Sequence, residues 1–392
     1  MLRVGVPAKP ADCIQAMEVS QLSKDKGFVV GVVSSHGHES GHIQVWDVLP
    51  EVEAIHVCTI DDEADLDAIV ALSPKTVSKT KDLSELLSTP GLDAVAVCVR
   101  PDLGPDVLRA VVSAGIPVLF DKPASTSAAA MRAVADLARE KGVTAGAMFQ
   151  WRRSAPMMEA RRMLQEGAFG DLWALEARVL TSQLRYRRPD TSYLFKSQYA
   201  GSGILSWLGC HKLDLINYLT DDRIVEVTAM IGNQNPEKVD VEDTAFVTFR
   251  FSSGVMGTLY AGYLMAGPGK NPDDGFIALR GSKGYAEIHT NTPWSNNRFD
   301  GQPSDPNMRV WSEAPGWETG GQRELNFNAP ESHVYGGVMA ERLFREFLQA
   351  STVGAPAPSP IESSVHLLEV VEAAKESSRT GRAVTIPGES AI

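Results

Sequence analysis

The chain has 392 residues, 43% hydrophobic and 22% charged, the balance of an ordinary globular protein long enough for two cores. A formal net charge of −12 argues against nucleic acid or an anionic membrane as the main partner. The four cysteines, Cys13, Cys58, Cys98 and Cys210, are far apart with no CxxC pair, so neither a disulfide framework nor a structural zinc site is expected. The first residues lack a basic-then-apolar leader and no run is apolar enough to span a membrane, which makes a cytoplasmic protein the expectation.

Residues 2–6 read as a short strand, with a helix following to about residue 23. Residues 28–33 (FVVGVV) are continuously apolar, as a strand buried on both faces requires. They run into SSHGHESGH at 34–42 and a predicted helix at 42–49. Further strands are expected at 53–60, 76–77 and 92–99, with helices at 64–72, 82–87 and 106–114. A strand at 117–120 then delivers Asp121-Lys122-Pro123. An Ala-rich helix at 127–141 stops at Gly142, and 144–148 is a last strand. This alternation predicts a doubly wound, mostly parallel sheet. Ligands of such sheets bind beyond the carboxyl ends of the strands. Ser34, Ser35, His36, Asp61, Pro101 and Lys122 fall just past strand ends and can converge on one crevice.

After a helix at 157–166, segments at 173–180, 224–231, 244–251, 255–263, 276–280 and 285–289 change character. Val247, Phe249 and Phe251 alternate with Thr248 and Arg250, as in an antiparallel sheet buried on one face. Residues 291–330, rich in Asn, Pro, Gly and Trp, read as a long ordered insertion or lid. A helix at 338–350, a Pro-rich linker at 354–360 and a helix at 362–378 complete the chain.

Between these parts lies GSGILSWLGCHKLD, residues 201–214, an amphipathic run. Trp207 and His211 are an i, i+4 pair, and Asp214 lies a turn further on. The histidine is read either as a hydrogen-bonded core residue or as a proton acceptor. Three other histidines, His36, His38 and His42, invite a metal reading; no acidic or cysteine ligand is placed beside them by the sequence, and no metal is assigned.

With these stretches placed, the chain resembles the Gfo/Idh/MocA oxidoreductase family. Asp121-Lys122-Pro123 matches its Glu-Lys-Pro motif, and residues 201–214 match its glycine-rich stretch ending in His-x-x-Asp, with His211 on the family histidine. Residues 241–259 and 279–284 and the tail at 368–381 resemble further family signatures. The resemblance implies a Rossmann-like domain at 28–149 that binds NAD or NADP, preceded by an extension at 1–27. It also implies an α+β domain at 150–392, whose large, mostly antiparallel open sheet serves a homo-oligomer. It implies hydride transfer to or from a sugar, sugar derivative or cyclitol, with Lys122 and His211 catalytic. Ser34, Ser35, His36, Asp61, Pro101 and Lys122 would hold the cofactor. Lys122, Arg153, Trp207, His211 and Asp214 would line the substrate, with Arg153 equally able to form a domain-interface salt bridge and Trp207 to pack in the core. The basic loop carrying Tyr186, Arg187, Arg188 and Tyr193 could contribute to that cleft.

Three departures stand out. The family's Gly-x-Gly-x-x-Gly falls on Ser34, His36 and Glu39, so backbone approach to a pyrophosphate is altered and a carboxylate stands near it. Trp207 replaces a family aspartate, and a Trp207–His211 stack is expected in its place. The ribose-reading acid falls on Thr59 or Asp61; Asp61 slightly favours NAD. Two rivals share the motifs. One is an oxidoreductive glycoside-cleaving enzyme that recycles NAD, and the other a cofactor-impaired sugar- or partner-sensing pseudo-enzyme.

Overall fold

A computed structural model describes residues 27–35, 38–61, 65–186, 192–237, 239–266, 273–290, 308–315, 317, 322–325, 327 and 332–388. The expected strand at 2–6, the helix to residue 23 and most of the extension at 1–27 lie outside the described residues.

The first layer is a six-stranded sheet in the order β3-β2-β1-β4-β5-β6. It comprises β1 (Phe28–Ser34), β2 (Val52–Thr59), β3 (Thr76–Thr80), β4 (Leu92–Cys98), β5 (Val118–Phe120) and β6 (Ala145–Ala147), all parallel. Helices on both faces explain the continuous apolar strands: Val30, Val32 and Val33 are all fully buried. The crossovers are α1 (Glu39–Val48), α2 (Leu66–Val70), α3 (Leu83–Leu87), α4 (Gly104–Ser113) and α5 (Ala128–Lys141). Local sequence sets their ends. The Ser127 side chain accepts from the Ala130 N–H at the start of α5, and Gly142 closes that helix in the left-handed conformation, as serine and glycine do at such positions.

The second layer is a nine-stranded sheet, β14-β13-β12-β11-β7-β10-β9-β8-β15, antiparallel except where β10 runs parallel to β7. Its strands are β7 (Leu172–Thr181), β8 (Ile224–Gly232), β9 (Thr244–Phe251), β10 (Met256–Gly262), β11 (Asp273–Gly281), β12 (Gly284–His289), β13 (Met308–Ser312), β14 (Arg323–Leu325) and β15 (Val384–Thr385). In β9, Val247, Phe249 and Phe251 point inward. That inner face is covered by α6 (Ala155–Gln165), α7 (Cys210–Thr220) and α9 (Ile361–Thr380), while α8 (Gly337–Val353) returns to the first layer. Phe344, Phe347 and Leu348 of α8 share a buried cluster with Trp46 of α1 and Val30 of β1.

Within 291–330, the described residues include β13 and β14, which extend the large sheet edge as an ordered insertion; 291–307 lie outside the described residues. One expectation needs correction. The Pro-rich stretch at 354–360 is no loose linker. Ser359 O accepts from the Ala147 N–H at 2.8 Å, and Pro360 bridges Gly146 antiparallel. Lacking an N–H, proline is tolerated at such an edge.

Candidate active site

The crevice is built where the strand order reverses, at the carboxyl ends of β1, β4 and β5. Ser34 and Ser35 are buried there. The Ser35 N–H donates to Cys98 O, and Ser35 Oγ accepts from the Arg100 N–H at 2.8 Å, tying the turn after β1 to the turn after β4. Asp121 follows β5: its Oδ1 accepts from the Lys122 N–H at 2.9 Å, and its Oδ2 lies 2.7 Å from His38 Nδ1. Burial raises the Asp121 carboxyl, yet His38 and Lys122 outweigh it and hold the group well below the usual carboxylate range.

The other wall is the turn leading into α7. Gly203 is required there, because a Cβ would sit 2.0 Å from Glu242 O. Glu242 accepts from Ser202 Oγ at 2.6 Å and from the Leu205 N–H at 3.1 Å. Leu205–Gly209 then forms a π-helical turn before α7, a widening that commonly occurs at functional sites. It presents the Trp207 carbonyl to Lys122, whose Nζ donates to it at 2.8 Å and lies 3.9 Å from the Trp207 ring centre. The indole N–H donates to Gln183 Oε1 at 2.8 Å.

One turn on, His211 is 4% exposed, and its Nδ1 has no partner among the described residues. Its ring stacks on Trp151 at 5.0 Å and meets Phe149 edge-on. The expected Trp207–His211 stack is therefore corrected: Trp207 lies against His38, 5.4 Å between ring centres. Burial, then the charges of Lys122 and Lys212, hold the His211 imidazole well below its ordinary value. A neutral imidazole near a lysine ammonium can accept a proton while the ammonium favours a developing alkoxide.

Other residues named from the sequence are placed differently. Asp214 is 3% exposed, and both its oxygens are taken by Arg152, at 2.9 Å from Nε and 2.5 Å from Nη2. Burial disfavours the Arg152 cation, but Asp214 outweighs it and raises the guanidinium above its ordinary value. Asp214 therefore belongs to the frame and not to the substrate wall. Arg153 is likewise paired, 2.5 Å from Glu346 on α8, the salt bridge foreseen as its alternative. His36, Arg187 and Arg188 lie outside the described residues, as does the Tyr186 side chain.

Tyr335 was missed. Its hydroxyl is 3.1 Å from His38 Nδ1, and its ring presses on α1 so closely that a Cβ on Gly41 would come within 2.6 Å. A separation of 297 residues from His38 left no local signal.

The turn after β1 fits a dinucleotide in most respects. Among the described residues the N-terminus of α1 has no side-chain cap, which leaves its first N–H groups available to an anion. Thr59, at the end of β2, is buried; its hydroxyl bonds Ser34 O and accepts from the N–H of Asp61, the acid that follows the strand. Pro101 is buried after β4. Glu39 is the misfit: its Oε2 is enclosed at the start of α1 with no partner among the described residues.

A parallel sheet with its crevice at the switch point, joined to an open sheet that brings an imidazole to a strand-end lysine, defines a two-domain dinucleotide-binding protein. The chain belongs to the Gfo/Idh/MocA family: residues 18–149 match the oxidoreductase family's NAD-binding Rossmann fold, and residues 157–287 match the GFO/IDH/MocA C-terminal domain. It is 22% identical over 206 residues to levoglucosan dehydrogenase of Pseudarthrobacter phenanthrenivorans, an alignment covering 47% of this chain and 53% of that protein. It is 24% identical to D-glucoside 3-dehydrogenase of Escherichia coli, over 53% of this chain and 65% of that one. The chain thus spans about half the length of the first of these relatives. Its fold is that of levoglucosan dehydrogenase in complex with NADH and levoglucosan, with a TM-score of 0.79 at 18% identity, over 93% of this chain and 100% of that one. Among the described residues no helix is long and apolar enough to cross a membrane.

Proposed function

We propose that this protein is a nicotinamide-dependent oxidoreductase acting on a hydroxyl-bearing carbon of a sugar, sugar derivative or cyclitol. The observation that carries the reading is that Lys122, from the parallel sheet, bonds the Trp207 carbonyl one turn before the buried His211 of α7. Ser34, Ser35, Pro101 and the open N-terminus of α1 would hold the dinucleotide, with Asp61 at the ribose. The cofactor, when bound, supplies hydride exchange at the nicotinamide ring. Lys122 would hold the carbinol oxygen and stabilise its negative charge, and His211 would take the hydroxyl proton. Trp151 and Trp207 would offer apolar walls to a ring-shaped substrate. An acid at Asp61 repels a 2′-phosphate, which favours NAD over NADP.

Calorimetric titration of the full chain with NAD⁺, NADH, NADP⁺ and NADPH tests this. Micromolar binding of the unphosphorylated pair is expected. Glu39→Gln removes a carboxylate beside the phosphate site and is expected to tighten binding about two- to five-fold. A folded protein that binds none of the four, in either form, would sink the proposal. The sensing pseudo-enzyme would then lead, supported by Lys122 being held by its own chain at Trp207.

A homo-oligomer through the large sheet is part of the same reading. Its outer face exposes Met230 (77%), Phe246 (52%) and Met256 (53%), and such a patch favours burial against a second copy. Sedimentation is expected to show an oligomer that Phe246→Asp dissociates; a monomeric parent protein at micromolar concentration would refute it.

A further inference from the structure

We propose that His42, Cys98 and Asp121 form a binding site for one divalent transition metal of the zinc class. The three come from separate elements, the second turn of α1, the last residue of β4 and the residue after β5. The fold brings their ligand atoms within 4.8 Å of one another. His42 stands 56 positions before Cys98, and Cys98 stands 23 before Asp121, so no local spacing joins the histidine to these two ligands.

An independent observation points to a missing ligand. His42 is 0% exposed, and neither ring nitrogen has a hydrogen-bond partner among the described residues. A buried imidazole without a partner is costly to the fold, and the Phe344 ring packed edge-on against it supplies no acceptor. A metal would use one of those nitrogens as a donor atom.

The geometry and the charge both suit zinc. Tetrahedral coordination with ordinary Zn–S and Zn–O lengths places sulfur and oxygen about 3.6 Å apart; Cys98 Sγ and Asp121 Oδ2 are 3.7 Å apart. Asp121 Oδ1 is already taken by the Lys122 N–H, so Oδ2 is the ligand oxygen. His38 is 2.7 Å from that same Oδ2. That is too short for two ligands of one ion, which stand about 3.4 Å apart in a tetrahedral zinc site. His38 therefore donates from Nδ1 to the ligating carboxylate and orients it, while the Tyr335 hydroxyl lies 3.3 Å from its Nε2. Mixed imidazole, thiolate and carboxylate ligands suit zinc better than magnesium or calcium. One thiolate and one carboxylate neutralise a divalent ion, so burying the set leaves no net charge. On binding, the Cys98 thiol gives its proton to solvent.

The experiment uses the full chain, purified without added metal, stripped with chelator and titrated with Co²⁺. The expected result is a visible spectrum of tetrahedral cobalt with a near-ultraviolet thiolate-to-cobalt band, saturating near one equivalent per chain. Cys98→Ser should abolish the near-ultraviolet band, and His38→Gln should weaken the affinity about 10- to 100-fold, each with an unchanged circular dichroism spectrum. Folded parent protein that gives no band at saturating Co²⁺ would overturn the proposal, as would a band that persists in Cys98→Ser. Because the readout is spectroscopic, it stands apart from the dinucleotide titration.

Discussion

Asp214→Ala is expected to lower the unfolding free energy by about 3–5 kcal/mol, the usual cost of leaving one member of a buried ion pair without its partner. Arg152 is 7% exposed, and Asp214 neutralises it through paired hydrogen bonds, so water cannot replace the lost carboxylate. Urea denaturation followed by circular dichroism measures the loss. The double variant Arg152→Met/Asp214→Leu should recover a large part of it, because an apolar pair of similar size removes both charges together. A loss below about 1 kcal/mol in Asp214→Ala would mean that the pair is solvated and that Asp214 is free for another task.

Lys122→Ala and His211→Ala are each expected to cut turnover by about 10²- to 10⁴-fold, the range for a positioned acid–base group, measured with any carbinol substrate that the parent protein oxidises. Dinucleotide affinity should change far less. Lys122→Arg should not rescue, because the larger planar guanidinium does not fit the buried position from which the compact ammonium donates to Trp207 O. The pH profile adds a second check. Burial and the two lysines lower the folded His211 value well below 6.5, so the base stays unprotonated at neutral pH. The acid limb of kcat/KM should fall below pH 6.5. The same shift makes the folded state lose stability as pH drops from 6.5 towards the folded value, since the unfolded chain takes up the proton first. An acid limb above 6.5, or near-parent turnover in His211→Ala, would remove His211 from the mechanism.

Much of this was legible in the sequence because the physics there is local. The buried run at 28–33 and the alternation at 247–251 carry their own periodicity, and Lys122 is announced by the short strand before it. The helix of His211 declares itself through leucine spacing. What was not legible depends on contacts between distant segments. Arg152 and Asp214 are 62 residues apart, so Asp214 looked available when it was already paired. Trp207 and His211 share a helical spacing, but the π turn at Leu205–Gly209 changes the register between them, and each ring finds another partner. Prolines at 354–360 signal an absence of helix; they cannot say that the segment lies along β6.

Arg152 also donates to Pro358 O at 3.2 Å and to Ser363 Oγ at 3.0 Å. It sits in the short turn Gln150–Arg153, where the chain leaves the first sheet for the second layer and where a hinge would naturally fall. A rocking motion there would have to pull this cation away from α7, the 354–360 segment and the start of α9 at once. Arg152 therefore ties the crossover between the two sheets to α7, the 354–360 segment and the start of α9, and opposes a hinge at that turn. One guanidinium thus acts as a rivet for three segments, and its removal should loosen all of them together rather than one alone.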